Sequence, residues 1–564
     1  MDYLYHILVV ICIYSILATS MNIVIGLAGM FALCHAVFYA AGAYSSAILT
    51  TMYGWPPVAA AGFGVAFAAL LGSATALPAL RVGGHYLVII TLALQVISVD
   101  FLRNVPGLTG GPDGISGIPR IVIGPIVFDT AREMLFLAVP VAVAVYLVCQ
   151  RLGHSPFGRA MRAMRENESA AISIGKNALR LKLAAFALSA GFAALAGSLM
   201  AHYIVFVSPH SYRAEETILI LAMIILGGIG NFTGSVLGAL ILVLLPEAMK
   251  FLPLPLGTAD LLRNVIYGLI LILMLRFRPG GLLPETSNLG KRSARGGESQ
   301  PEAMAITAFA APEGETTLSC EGLNKTFGGV VAARNVDLAL PARRITGLIG
   351  PNGAGKTTVF NMLTGFLKPS SGRIRLRGED ITDTPPSRIV TRGVARSFQD
   401  LRLFRRMTVL ENVLVAFPRQ RGDNLVRSIC TPWSVDAEDR RLTARARQIL
   451  AFIGLGHRAD ELADNLSYAE EKLLVIARVI ATEAEVTLLD EPLSGLDPNT
   501  LARVLPVLRE MAAKGRTICL IEHNLEVIRE VCNEVLYLES GEVAAKGSAE
   551  ELMNNPRVLE NYIQ

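Results

Sequence analysis

"GLIGPNGAGKTT", residues 347–358, decides how the second half of this 564-residue chain folds. It fits the pattern G-x-x-x-x-G-K-[ST] through Gly350, Gly355, Lys356 and Thr357. The apolar run before it reads as a strand and "AGKTTVFNMLTGF" after its start reads as a helix, which is the setting the pattern needs. Glycines let backbone N–H groups turn toward the phosphates of a nucleotide, and the helix N-terminus adds a favourable dipole. The candidate phosphate contacts are therefore Gly350, Asn352, Gly353, Ala354, Gly355, Lys356, Thr357 and Thr358. Lys356 supplies a point charge and Thr357 a hydroxyl for Mg²⁺.

A second stretch, "VTLLDE" (486–491), supports the first. Strand-like residues end in Asp490, placed to hold the Mg²⁺ shell, and Glu491 follows where it can polarise an attacking water. Short apolar runs such as "RITGLIG", "EVTLLDE" and "RTICLIEH" alternate with helical stretches. That alternation predicts an α/β domain with a largely parallel sheet over residues 316–564.

Outward from this domain the composition changes. The chain is 52% hydrophobic, with mean hydropathy +0.47. Residues 1–290 hold only 16 Lys/Arg and 12 Asp/Glu, whereas residues 291–564 hold 35 of each. The net charge of +4 thus sits in the apolar half, where basic residues flank membrane spans, and says little about nucleic acid. Apolar stretches near 3–25, 30–52, 57–80, 86–103, 133–150, 180–207, 215–230, 233–250 and 259–277 predict about 8–10 spans, a span taking roughly 20 residues. "MDYLYHILVV" lacks a basic start and reads as the first of them. Residues 30–52 and 215–235 are rich in small residues, which suits close helix packing or a broken span. Basic residues at 151–182 and at Arg276 and Arg278 place those segments in the cytoplasm, put Arg81 inside and turn the loop 105–119 outward.

Between the halves, 285–315 is polar with Gly, Ser and Pro and reads as a flexible linker. The seven cysteines form no CxxC pair, so neither a metal framework nor disulfides are expected. The predicted fold is a two-part chain: an all-α polytopic membrane domain (1–284), the linker, and an α/β phosphate-loop domain (316–564).

With these motifs in place, the second half resembles the nucleotide-binding domain of an ABC transporter. The resemblance implies a role for several further residues. Phe327 in "KTFGG" matches the aromatic that stacks on adenine. Gln399 in "ARSFQDLRLF" matches the glutamine that senses the γ-phosphate, and with Thr357 and Asp490 it is an implied Mg²⁺ ligand. "SGLD" (494–497) matches a loop across the ATPase dimer, and His523 in "LIEHN" the switch histidine, paired with Glu491 as the catalytic residues. "RSFQDLRLFRRMTVLENVLVA" and the closing "EELMNNPRVLENYIQ" are similar to one ATPase of the branched-chain amino-acid importers. "GLAGMFALCHAVFYAAGAY" (26–44), "LTGGPDGISGIP" (108–119) and "LGGIGNFTGSVLGA" (226–239) resemble a permease of the same importers. "SPFGRAMRAMRENESAAISIG" (155–175) resembles their coupling helix, placed near 162–176, with Ala170-Ala171-x-x-x-Gly175 kept and a glutamate one place early at Glu168. Arg162, Arg165 and Glu166 offer it polar contacts.

The resemblance implies ATP-driven import of branched-chain amino acids across the bacterial cytoplasmic (inner) membrane. Urea or short amides are the alternative solutes; an exporter or a non-transporting ABC ATPase fits less well. It implies ATP and Mg²⁺ as cofactors. The implied partners are a second permease, a second ATPase and an exterior or periplasmic binding protein, a hetero-assembly being favoured over self-association, with membrane lipid and no nucleic acid. Asn22, His35, Gln95, Asp100 and Asn264 are the polar residues within the spans, and none is singled out as a solute ligand.

One segment departs from the family pattern. In "LSYAEEK" (466–472), Ala469 stands where glycine is expected and Glu470 where glutamine is expected. Ser467, Ala469 and Glu470 are the implied contacts to the nucleotide held by a partner ATPase. The stretch also reads as a capping box, Ser467 at the N-cap and Glu470 at N3. The helix start is therefore expected to be intact and the phosphate contact weakened, with Lys472 offsetting part of the Glu470 charge.

Overall fold

The computed structural model describes residues 2–78, 85–250, 258–285, 307–310, 312–555 and 558. Arg81, the side chain of Asn264 and most of the 285–315 segment lie outside these residues. The chain divides into two compact units. The first comprises Met1–Arg165, Leu179–Ser287 and Ser428–Cys430; the second comprises Glu166–Ala178, Asn288–Arg427 and Thr431–Gln564.

The first unit is helical. Its main helices are α1 (Asp2–Asn22), α2 (His35–Thr51), α3 (Pro57–Ala76), α4 (His85–Asn104), α5 (Ala131–His154), α6 (Pro156–Glu166), with α7 (Glu168–Ser173) falling in the second unit, then α8 (Ala178–Ile204), α9 (Ala214–Gly227), α10 (Phe232–Met249) and α11 (Thr258–Phe277). A helix occurs at each of the nine predicted apolar stretches. Six helices among the described residues are long and apolar enough to cross a membrane: Asp2–Leu27, Pro57–Ala76, Tyr86–Asn104, Ala131–His154, Ala178–Ile204 and Phe232–Met249. Of the other three, α2 has 17 residues and α9 only 14, both in stretches rich in small residues, and α11 contributes the apolar run Val265–Met274 among the described residues.

Both expectations for the glycine-rich stretches are met. A Cβ on Gly42 of α2 would lie 2.0 Å from the Ala194 carbonyl oxygen of α8, so the two backbones touch there. The α9–α10 junction is a break: Gly228 has φ +126° and Asn231 caps the next helix by accepting from the Gly234 N–H. The intramembrane polar residues serve packing. Asn22 Oδ1 accepts from the Gly230 N–H at 2.9 Å and its Nδ2 donates to Ser235 Oγ at 2.7 Å. His35 Nε2 lies 3.0 Å from Ser20 Oγ, and Gln95 Nε2 donates to the Tyr212 carbonyl at 2.7 Å. Such pairing satisfies polar groups that water cannot reach. Asp100 is exposed.

The second unit carries the α/β domain. An antiparallel sheet is built from β1 (Thr316–Phe327), β2 (Val330–Pro341), β4 (Ser371–Leu376) and β5 (Glu379–Asp380), in the order β2-β1-β4-β5. A six-stranded sheet is built from β3 (Ile345–Ile349), β6 (Val394–Arg396), β7 (Val486–Asp490), β8 (Thr517–Ile521), β9 (Glu534–Glu539) and β10 (Glu542–Gly547). Its order is β6-β7-β8-β3-β9-β10, parallel throughout except for the β9–β10 pair. Every residue of β3, β7 and β8 is buried. That is why these strands read as continuous apolar runs and not as alternation. Leu318, Leu340, Phe360, Leu488 and Ile521 belong to the core these strands enclose. The helices that matter below are α12 (Lys356–Leu363), α13 (Pro386–Arg392), α14 (Pro432–Phe452), α15 (Tyr468–Ala481) and α16 (Pro498–Ala513).

The described part of the predicted linker packs onto this domain. The Phe309 N–H donates to the Lys514 carbonyl at 2.8 Å and Arg516 lies over the Phe309 ring at 5.7 Å. All seven cysteines are free thiols.

Candidate functional site

The phosphate loop lies between β3 and α12 because two glycines make close approaches no side chain permits. A Cβ on Gly350 (φ +151°) would meet the Leu538 carbonyl oxygen at 2.1 Å, and one on Gly355 (φ +100°) the Ala332 carbonyl oxygen at 2.2 Å. Asn352, Gly353 and Thr357 are exposed around the loop, Gly355 and Thr358 half-buried, and Ala354 packs inward. Lys356 is buried, and its Nζ donates to the carbonyls of Gly350 (2.6 Å) and Pro351 (2.9 Å). Burial lowers its pKa, and the carboxylates of Glu491 and Asp490 push back the other way. These two acids are close enough to Lys356 for the three groups to form one electrostatic unit.

Asp490 ends β7 and is 2% exposed. Its Oδ2 lies 3.2 Å from Arg396 Nη2, a pair almost fully shielded from water. Its N–H donates to Ser397 Oγ at 2.9 Å. Burial raises the Asp490 pKa, and Arg396 only partly offsets it. Arg396 sits between two rings, 5.8 Å from Phe360 and 4.9 Å from Phe398, and donates to Asn361 Oδ1 on α12. It thus joins β6, β7 and α12 at the site.

Glu491 follows with φ +49°, a left-handed backbone that a non-glycine residue adopts only under constraint. Its N–H donates to the Ile521 carbonyl at 2.9 Å. Its Oε1 accepts from Gln399 Nε2 at 3.1 Å and lies 3.0 Å from His523 Nε2. The next residue along, Glu522, is 1% exposed and accepts from the Leu493 N–H at 2.7 Å. Burial pushes its carboxyl up to about 7, against the Leu493 N–H and the nearby Lys472 charge.

The structure therefore brings Lys356, Asp490, Glu491, Gln399 and His523 together. Phe327 stands apart at the end of β1, 49% exposed, with Lys325 Nζ 5.4 Å from its ring. Ser467 and Glu470 bond one another and not the loop. The capping box is complete: Glu470 N–H donates to Ser467 Oγ and Ser467 N–H to Glu470 Oε2 at 2.9 Å. Ala469 lies in the first turn of the same helix.

One expectation here is corrected. Lys472 does not offset the Glu470 charge; Arg458 does, with Nε 3.2 Å from Glu470 Oε1. Burial alone would raise the Glu470 pKa, but the bonds from Ser467 and Arg458 outweigh it and hold the carboxylate below its usual range. Lys472 is 3% exposed and donates to the Glu491 carbonyl at 2.6 Å. On a helix, residues two apart point to different sides, so Glu470 and Lys472 do not share a face.

Sequence reasoning missed Arg396, Glu522 and this use of Lys472. The only signal for them is a charged residue at the end of an apolar strand or helix start beside a motif, which by itself reads as a solvated end.

The segment 166–178 belongs to this unit. Asn167 caps α7 by accepting from the Ala170 N–H at 2.9 Å. Glu166 Oε2 accepts from the Arg406 N–H at 3.2 Å. Lys176, 5% exposed, bonds both oxygens of Asp423 at 2.9 Å. Gly175 (φ +86°) packs beside Val390 and Thr391 at the end of α13. Arg165 pairs with Glu285 at 2.8 Å and bonds the Gly26 carbonyl within the first unit. A groove of about 920 Å³ is lined by Glu166, Asn167, Gln399, Arg402, Tyr468 and Glu471, among others.

Comparison with known proteins agrees with both units. Residues 3–275 match the family described as branched-chain amino acid transport system / permease component, and residues 333–494 match the ABC transporter family. The high-affinity branched-chain amino acid transport ATP-binding protein LivG of Salmonella typhimurium is 42% identical over 248 residues, which is 44% of this chain and 97% of that protein. LivG of Escherichia coli K12 is 40% identical over 247 residues, again 44% and 97%. The corresponding protein BraF of Pseudomonas aeruginosa is 35% identical over 247 residues, with the same coverage.

Proposed function

This chain belongs to the ABC transporters and joins a permease component of the branched-chain amino-acid type to an ATP-hydrolysing component, and from that premise we propose that it imports branched-chain amino acids. The observation that carries this reading is the agreement of the two halves. The permease half and the ATPase half independently resemble proteins named for the same solute class.

In the proposed cycle the loop amides, Lys356 and Thr358 cradle the phosphates, and Phe327 stacks on the base. Glu491 polarises the attacking water. Gln399 and His523, both bonded to one oxygen of Glu491, orient the other toward that water. Mg²⁺ fits the donors present: the Thr357 hydroxyl, the Asp490 carboxylate and the Gln399 amide oxygen are hard oxygen ligands. Arg396 occupies only Oδ2 of Asp490. Among the described residues there is no cluster of three His, Cys, Asp or Glu side chains able to hold a metal alone, as suits an ion bound largely through the nucleotide. When bound, Mg²⁺ neutralises phosphate charge; the chain's residues position and polarise.

The segment near 162–176 is the coupling element of the proposal. Lys176–Asp423, the Glu166 contact and the shared groove with Gln399 support that role. ATP binding has to favour one membrane state over another for transport to follow. The working assembly then includes a second permease, a second ATPase and an exterior binding protein, in the bacterial cytoplasmic membrane.

The test is ATPase stimulation in proteoliposomes holding the full assembly. Leucine-loaded binding protein should stimulate hydrolysis and drive leucine inward. Stimulation by urea or a short amide in place of leucine would overturn the solute assignment.

A further inference from the structure

Helix α15 is bound to the chain's own loop at Glu491, besides the contact with a partner's nucleotide that its head is implied to make. Three observations establish the connection. Lys472, in the first turns of α15, donates from Nζ to the Glu491 carbonyl at 2.6 Å and is 3% exposed. Its ammonium also lies 5.4 Å from the Tyr468 ring. Tyr468 in turn stands against Gly495, where an added Cβ would come within 3.2 Å of its ring.

The loop so gripped is constrained. Glu491 is held at φ +49° between its own N–H bond to Ile521 and the Lys472 bond on its carbonyl. Two residues on, Glu522 accepts from the Leu493 N–H. A left-handed conformation at a non-glycine residue persists only when its surroundings over-determine it. Releasing one anchor lets the peptide after Glu491 rotate, and the carboxylate then leaves Gln399 and His523.

We propose that Lys472 is a positioning residue: it holds the peptide after Glu491 so that the carboxylate keeps its aim, and it ties the head of α15 to that loop. In the assembled dimer, the head of α15 faces the partner's nucleotide while Lys472, on another side of the same turn, grips this chain's Glu491. The proposal rests on the reading of Glu491 as the water-polarising carboxylate, but not on the identity of the transported solute.

The experiment is steady-state ATP hydrolysis by the full chain in its assembly, without solute, together with binding of a fluorescent ATP analogue. Lys472→Met keeps the length of the side chain and removes the donor; Lys472→Arg keeps a donor. The expected result is a fall of about tenfold or more in kcat for Lys472→Met, with KM for ATP and analogue binding within about twofold of wild type, and recovery of most of kcat in Lys472→Arg. A Lys472→Met protein that keeps kcat within about twofold overturns the proposal. So does loss of analogue binding in both variants, which would make the lysine a general packing element. Glu491→Gln in the same assay separates the underlying reading: if it hydrolyses ATP at the wild-type rate, the assignment of Glu491 fails first.

Discussion

Arg458 Nε lies 3.2 Å from Glu470 Oε1, so the acid that replaces the expected glutamine is already paired within its own chain. Ser467 binds the other carboxylate oxygen through both its N–H and its hydroxyl. The substitution therefore preserves the helix start and carries its own counter-charge. A carboxylate held this way repels a partner's phosphate less than a bare one.

This pairing makes a specific non-additivity. Arg458→Gln should lower ATPase activity of the assembly several-fold in the wild-type background and change it little when Glu470 is already Gln, as steady-state rates in a double-mutant cycle will check. Ala469→Gly with Glu470→Gln should raise activity, since glutamine at N3 keeps the capping box and glycine removes a methyl from the nucleotide's approach. Additive effects of Arg458→Gln in both backgrounds would show that the pair is not what tempers Glu470.

Arg396→Met should leave Asp490 buried without its partner. Removing one member of a buried ion pair costs about 3–5 kcal/mol. The full chain in detergent should show the unfolding transition of its ATPase unit shifted down by about 6 °C or more, using roughly 2–4 °C per kcal/mol for a domain of this size. An unchanged transition would mean that the two rings around Arg396 hold the site without its charge.

Glu522 predicts a pH dependence of stability. Its folded pKa is about 7 against the ordinary carboxyl value of 4.5. A raised pKa means the native state binds the proton more tightly than the unfolded chain does. The contribution is therefore fully present below about 4.5 and is lost as pH rises through about 7. Glu522→Gln, which keeps an acceptor for the Leu493 N–H, should stabilise the protein more at pH 8 than at pH 5.5, by about 2 kcal/mol at 1.36 kcal/mol per pKa unit. Denaturant midpoints at the two pH values, with equal gains at both, would contradict this.

Lys176 and Asp423 should behave as a reversible charge pair. Lys176→Glu should reduce solute stimulation of the ATPase several-fold while the unstimulated rate stays near wild type. Asp423→Lys in the same chain should restore much of it. Failure of the reversal, with both single variants folded, would remove this pair from the coupling contact.

Much of the molecule was legible because its signals are local. A lipid-spanning helix is a run of apolar residues, and the phosphate loop is a fixed spacing of Gly, Lys and Thr around a strand-to-helix turn. The capping box of Ser467 and Glu470 is equally a matter of adjacent residues. These readings follow from the backbone periods and the chemistry of neighbours in sequence. What the tertiary structure decided is which charges meet. Arg396 reaches Asp490 across 94 positions, and Arg458 claims Glu470 while Lys472, two residues along the same helix, turns to Glu491. Lys176 finds Asp423 across 247 positions. A side chain's partner depends on where distant strands and helices come to rest, and burial then sets the strength of the pairing. No sequence spacing encodes either.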